Sequence, residues 1–279
     1  MDIYSEHNRA DLAALRQAVR LLNTPSLTIK LAELVGAPLE WGLAKLSGPL
    51  RGRINQGVNA ALQRAADVAL WSMADRPHAA ASPRLHQLGA AASGALGGFF
   101  GFSALLVELP LSTTIMMRAV ADVARAEGFA LSSLEVKLEC VKVFALGGNA
   151  GPEAAGDSGY YASRTALNRL LNLTAAELAA IAAEKGAAGI GAREGAALLA
   201  RLIDAVATRF GVVVTEKMAA QIVPVLGALA GATVNTLFTD YYQDMARGHF
   251  ALRRLERRYG EGYIVDVYGR ELRLLQPGG

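Results

Sequence analysis

A single cysteine, Cys140, occurs in the 279 residues. One thiol forms no internal disulfide, and no His stands near it in a nucleophile arrangement, so it reads as a reduced, intracellular packing residue. Histidine is scarce as well, at four. No second His or Cys lies at ligand spacing from any of them, and no metal is expected. The glycine-rich stretch Gly147 to Gly159, GGNAGPEAAGDSG, lacks the Gly-Lys-Ser/Thr and the preceding strand of a phosphate loop, which leaves no cofactor expected. MDIYSEHNRADL at the start carries acids and Arg9 but no apolar h-region, so no secretory signal and a cytoplasmic location are expected. Charge is sparse too, at 19% with a formal balance of +3, and no nucleic-acid motif accompanies it. Nucleic acid is not an expected partner.

Apolar residues are plentiful. They make up 52% of the chain, and the mean hydropathy is +0.26, between an ordinary soluble domain and a multi-span membrane protein. That balance suits a protein that touches lipid. Two uncharged runs carry much of it, Gln87–Val107 and Met218–Thr239. Roughly 20 apolar residues suffice to cross a bilayer core of about 30 Å. Composition favours another role. Gly94 with Gly98, Gly97 with Gly101 and Gly227 with Gly231 stand four apart, on one side of a helix where a second helix can approach closely. The stretch between the runs has no disulfide pair and reads as cytosolic helical protein. A non-spanning pair of central glycine-rich helices is therefore expected, although periodicity alone leaves entry into a bilayer open.

The rest of the chain shows helical spacing. Leu12, Leu15, Val19 and Leu22 define a helix over Arg9–Leu22, stopped by Asn23, Thr24 and Pro25. Leu27 to Leu46 forms an apolar stripe interrupted at Gly36 and Pro38, and it is the preferred lipid-facing segment. Leu39, Trp41 and Leu43 there, with Phe99 and Phe100 of the first glycine-rich run, are the expected lipid contacts. A bent core helix has the same pattern. Further helices are expected over Arg51–Met73, from Pro110 to about Glu127, over Leu131–Leu146, Tyr160–Asn172, Thr174–Lys185 with a Thr174/Glu177 capping box, Glu194–Phe210 and Asp240–Tyr259. YIVDVY at Tyr263–Tyr268 alternates, and with ELRLL it suggests a short terminal β-hairpin.

Charges stranded in apolar surroundings need partners. Glu108 and Arg118, with Asp122 and Asp240, are expected to form a buried polar network. A catalytic alternative uses Glu108, Asp240 and His249, provided the two runs bring their ends together. A structural role for His249 is the simpler reading. Arg253, Arg254, Arg257 and Arg258 form a basic patch that could meet anionic lipid, but Glu256 and Glu261 dilute it and a solvated face is the simpler reading.

Taken together, TDYYQDMARGHFALRRLERRYG at 239–260, LAELVGAPLEWGLAKL, ELPLSTTIMMRAVADVARAEG at 108–128 and YYASR at 160–164 resemble the bacterial EcsC family. The likeness runs from about Leu27 to Gly260. That family is named for a protein encoded beside an ABC transporter, and the resemblance implies a hydrophobic helical fold with a membrane connection. It carries over no catalytic residue. The expectation is an all-α single domain, 1–279, of about ten helices, with amphipathic helices in 1–80, a first apolar half in 84–146 and a second in 158–260. Its expected function is non-enzymatic: binding membrane lipid peripherally or partly inserted, or serving a membrane-protein partner such as an ABC transporter at the inner membrane face. A hydrolase or lipid-modifying enzyme and a protein-interaction scaffold are the alternatives. Oligomeric state is not legible.

Overall fold

The structure is a computed structural model that describes residues 2–35, 43–44, 46–70, 102–146, 159–184, 192–222 and 227–275. Among these residues the fold is all-α, with nine α-helices and no strand. In chain order they are α1 (Arg9–Leu22), α2 (Leu27–Val35), α3 (Gly48–Ala65), α4 (Phe102–Ala126), α5 (Leu134–Leu146), α6 (Gly159–Glu184), α7 (Ala192–Ile222), α8 (Gly227–Tyr259) and α9 (Glu261–Leu275). A 3-10 turn at Glu6–Asn8 precedes α1, and a π turn at Ala66–Leu70 extends α3.

α8 is the axis of the molecule and packs against α1, α4 and α9. His249, Phe250, Ala251 and Leu252 are consecutive and all buried, so this part of α8 is enclosed on every side. α4 lies beside it in parallel. Asn235 bonds Glu108 near one end and Arg254 bonds Glu127 near the other, both pairs separated by 127 residues, so the two helices keep one register along their length. A larger core joins α3, α4, α5, α7 and α8, with Phe144 set between Phe210 and Tyr242 at centroid distances of 5.2 and 4.9 Å. A smaller core joins α1, α9, the end of α8 and Tyr160.

Several expectations are corrected. The terminal hairpin is a helix, α9. Its buried residues Ile264, Val267, Tyr268, Glu271 and Leu272 follow the helical period, and contact with α1 outweighs the alternation of YIVDVY. Gly260, at φ +92°, supplies the left-handed turn between α8 and α9. Pro110 does not open a helix but sits within α4, whose neighbouring Glu108 is anchored to α7 and α8. α4 ends as expected at Gly128. There φ is +86°, and the Phe129 and Gly128 amides donate to the Ala124 and Arg125 carbonyls, both at 3.0 Å, in a Schellman closure.

Two expected helices at 160–172 and 174–185 are one, α6. Thr174 does not cap; its hydroxyl donates back to the Leu170 carbonyl at 3.0 Å. Asp240 lies inside α8 rather than at its start. Met218–Thr239 is divided between the end of α7 and the start of α8. Gly94, Gly97, Gly98 and Gly101 fall outside the described residues, as do Leu39, Trp41, Phe99 and Phe100. Among the described residues no helix is long and apolar enough to cross a membrane.

Candidate functional site: a buried polar cluster beside a cleft

Three helices each contribute one polar stripe to a common cluster. On α5 it is Glu135, Glu139 and Lys142; on α6, Tyr160, Tyr161, Arg164 and Asn168; on α8, His249, Arg253 and Glu256. Apart from the adjacent Tyr160 and Tyr161, which flank the Arg164 row, neighbours in each set stand three or four residues apart, so each set lies along one side of its helix. The stripes meet in the interior, where His249 is 0% exposed and Arg164 2%.

His249 links all three helices. Its Nε2 lies 2.8 Å from Glu139 Oε2 and its Nδ1 2.8 Å from the Tyr160 hydroxyl. Burial would raise the Glu139 carboxyl, but the His249 hydrogen bond and the Lys142 ammonium outweigh it and hold Glu139 well below the usual carboxylate range. Burial lowers His249 from its ordinary value despite Glu139, and burial raises the Tyr160 phenol. An ionised Glu139 only accepts, so Nε2 carries the imidazole proton and Nδ1 accepts from Tyr160. Lys142 Nζ donates to Glu139 Oε1 at 2.8 Å and to Asn168 Oδ1 at 2.5 Å.

Beside this relay lies an arginine clamp. Arg164 meets both oxygens of Glu256, at 2.5 and 2.8 Å, and donates to Glu261 at 3.2 Å. The Tyr161 hydroxyl donates to Glu256 at 3.1 Å, and Arg253 joins Glu256 to Glu135 at 3.1 and 2.7 Å. A cleft of about 300 Å³ opens on the α5–α6–α7 side of the cluster, with Glu139, Lys142 and Asn168 among its walls.

Glu108 belongs to a different buried group. Asn235 donates to it at 2.7 Å and Lys217 Nζ stands 3.4 Å away, itself 3.2 Å from the Ser112 hydroxyl. Arg118 cannot be its partner, since ten residues along α4 place them about 15 Å apart. Asp122 pairs with Arg125. His249 stands fourteen residues beyond the Glu108 contact on α8, about 21 Å along the axis, with Asp240 between. The set Glu108, Asp240 and His249 is not brought together.

Internal pairing neutralises the basic patch. Arg254 bonds Glu127 and Asp11 at 2.8 and 3.1 Å, Arg258 lies 2.9 Å from Asp11, and Arg257 sits over the Phe129 ring at 4.2 Å and 3.9 Å from Glu135. Of the expected lipid contacts, Leu43 is described, and it is half-buried against the larger core. α2 nevertheless shows apolar side chains to solvent. Ile29, on the side away from buried Leu27 and Leu31, is 48% exposed, and Leu34, one turn past them, is 47% exposed.

Glu139, Lys142 and Lys217 are absent from the residues singled out in the sequence; Tyr160 and Arg164 entered only within the YYASR family segment, and Glu256 only as a charge diluting the basic patch. A signal existed for α5, where LEVKLECVKVFAL sets its charges into an apolar helix at regular spacing.

Two segments that carried the family resemblance, YYASR and the ARGHFALRRLE part of α8, thus build one cluster. The family model described as the EcsC protein family matches residues 41–255. The chain belongs to that family. No curated protein and no solved structure matches it.

Proposed function

We propose that this EcsC-family protein is a non-enzymatic helical protein that docks peripherally on the cytoplasmic face of a membrane and binds lipid there, alone or as accessory to a membrane assembly such as an ABC transporter. The observation that carries this reading is the exposure of Ile29 and Leu34 on a short edge helix that leads into the Leu39–Trp41 segment. Fully burying an exposed side chain of this size is worth about 1.5–3 kcal/mol; Ile29 and Leu34 are each already about half covered, so the two together contribute roughly that much, which suits weak, reversible docking. Attraction by the α8 arginines contributes little, because they face the chain's own carboxylates.

The site chemistry supports the non-enzymatic part. General acid–base catalysis needs a group free to exchange a proton with substrate, whereas His249 is buried with both ring nitrogens bonded within the relay, to Glu139 and Tyr160. Co-sedimentation with phosphatidylglycerol-containing liposomes tests docking. The native protein pellets with vesicles, and an Ile29→Glu/Leu34→Glu variant with unchanged helical circular dichroism loses at least tenfold in affinity. A native protein that stays in the supernatant at every lipid concentration refutes the reading.

A further inference from the structure

The cleft between α5, α6 and α7 is not used by docking through α2, and its walls have a definite chemistry. Its volume of about 300 Å³ lies at the lower end of the range for small-molecule sites, about 300–1,000 Å³. Leu134 and Leu138 from α5, Leu171 and Ala175 from α6 and Leu198 from α7 make an apolar lining. Lys142 and Asn168, bonded to each other, form a polar spot in that lining. Leu134 and Ala175 lie about 12 and 10 Å from that spot along their helices, so apolar side chains line the cleft for that length, with Glu135 and Asn172 at its exposed edge.

Charge decides which headgroup this spot accepts. Lys142 is balanced by Glu139 at 2.8 Å, and Glu135 faces Arg253 at 2.7 Å and Arg257 at 3.9 Å behind the wall, so no unpaired charge is left on it. A charged headgroup entering here would shed water without gaining a counter-ion, which is costly. Uncharged hydrogen-bonding capacity does remain. The Asn168 oxygen accepts from Lys142 while its amide nitrogen has no partner among the described residues, and Asn172, one turn on, has none for its side chain. We infer that this cleft binds a single-chain amphiphile with an uncharged, hydrogen-bonding headgroup, of the monoacylglycerol type. The inference rests on the lipid-handling reading and names the lipid class.

Titration calorimetry of the full chain with monodecanoylglycerol and with decanoate, each below its micelle concentration, tests it. Monodecanoylglycerol binds saturably, and decanoate at pH 8 binds at least tenfold more weakly. Ala175→Phe, which fills the cleft from a half-buried position, lowers affinity at least tenfold. Asn172→Leu at an exposed position lowers it severalfold without affecting the fold, which guards against reading a misfolded variant as support. Equal affinity for the two probes, native affinity in Ala175→Phe with unchanged melting, or no saturable binding of monodecanoylglycerol overturns the assignment. Vesicle co-sedimentation separates the two readings. Vesicle binding without monodecanoylglycerol binding overturns the cleft and leaves docking standing. Monodecanoylglycerol binding without vesicle binding supports the cleft and overturns docking.

Discussion

Arg164 of α6 and Glu256 of α8 face each other through two parallel hydrogen bonds, with the arginine 2% and the glutamate 5% exposed. Burying each charge alone would be costly. Together, with Tyr161 and Arg253 satisfying the remaining acceptor capacity of Glu256, they tie α6 to the central helix.

Breaking that pair is expected to cost about 3–5 kcal/mol, because the partner left behind is a buried, uncompensated charge. Glu256→Leu and Arg164→Met each show this in urea unfolding. The double variant recovers much of the loss, and a double-mutant cycle measures the coupling. Additive losses would mean that the two groups do not interact.

Acid is expected to weaken the fold in two stages. His249 has a folded pKa below its ordinary 6.5, so below that pH the unfolded chain takes up a proton that the folded chain refuses. Its contribution is complete above about pH 6.5 and declines as the pH falls, with a slope of up to about 1.4 kcal/mol per pH unit. Glu139, also depressed, adds a second loss below its ordinary 4.5. Unfolding free energies measured from pH 8 to pH 4 give the profile. His249→Gln lowers stability at pH 8 and flattens the slope between pH 6.5 and 5; an unchanged slope would contradict the neutral, buried imidazole.

Lys217 is 2% exposed and lies near Glu108. Lys217→Met is expected to destabilise by about 3–5 kcal/mol, and adding Glu108→Gln to restore most of it, since removing both charges also removes the desolvation cost. Thermal melts of the two variants provide the check. A double variant no better than the single one would indicate that packing around the lysine stem is the main term.

Two glycines on helices are expected to respond oppositely to alanine. A Cβ at Gly248 would stand 2.6 Å from Leu22 Cγ, so the Leu22 side chain must move, and overpacking of about 1–3 kcal/mol exceeds the gain in helix propensity. Gly52 has nothing within 4 Å of such a Cβ. Gly52→Ala is therefore expected to stabilise α3 by roughly 0.5–1 kcal/mol. Chemical denaturation reads both signs.

Much of the fold was legible in the sequence where the signal is local. The apolar spacing of α1, the stop at Asn23 to Pro25 and the glycine closure after α4 each depend on residues within a few turns. Errors arose where a distant contact outweighed a local cue. YIVDVY alternates, yet α9 docks on α1. Pro110 looks like a first-turn residue, yet α4 runs through it because Glu108 is held from α7 and α8. The candidate site was legible in part: His249 and the family segments were singled out, but Glu139, Tyr160 and Arg164 were not joined to them.

By itself the sequence determined the all-α class, the family and which helices carry charges into apolar surroundings, because helical period, capping and burial cost are properties of short stretches. The tertiary structure alone decided which charges meet. His249 finds Glu139 across 110 residues of chain, and Arg164 finds Glu256 across 92. Helical periodicity states which face a residue occupies and is silent on which other face lies opposite. That choice depends on the packing of α5, α6 and α8, and it set the members of an expected catalytic set apart along α8 and paired an expected basic patch with the chain's own carboxylates.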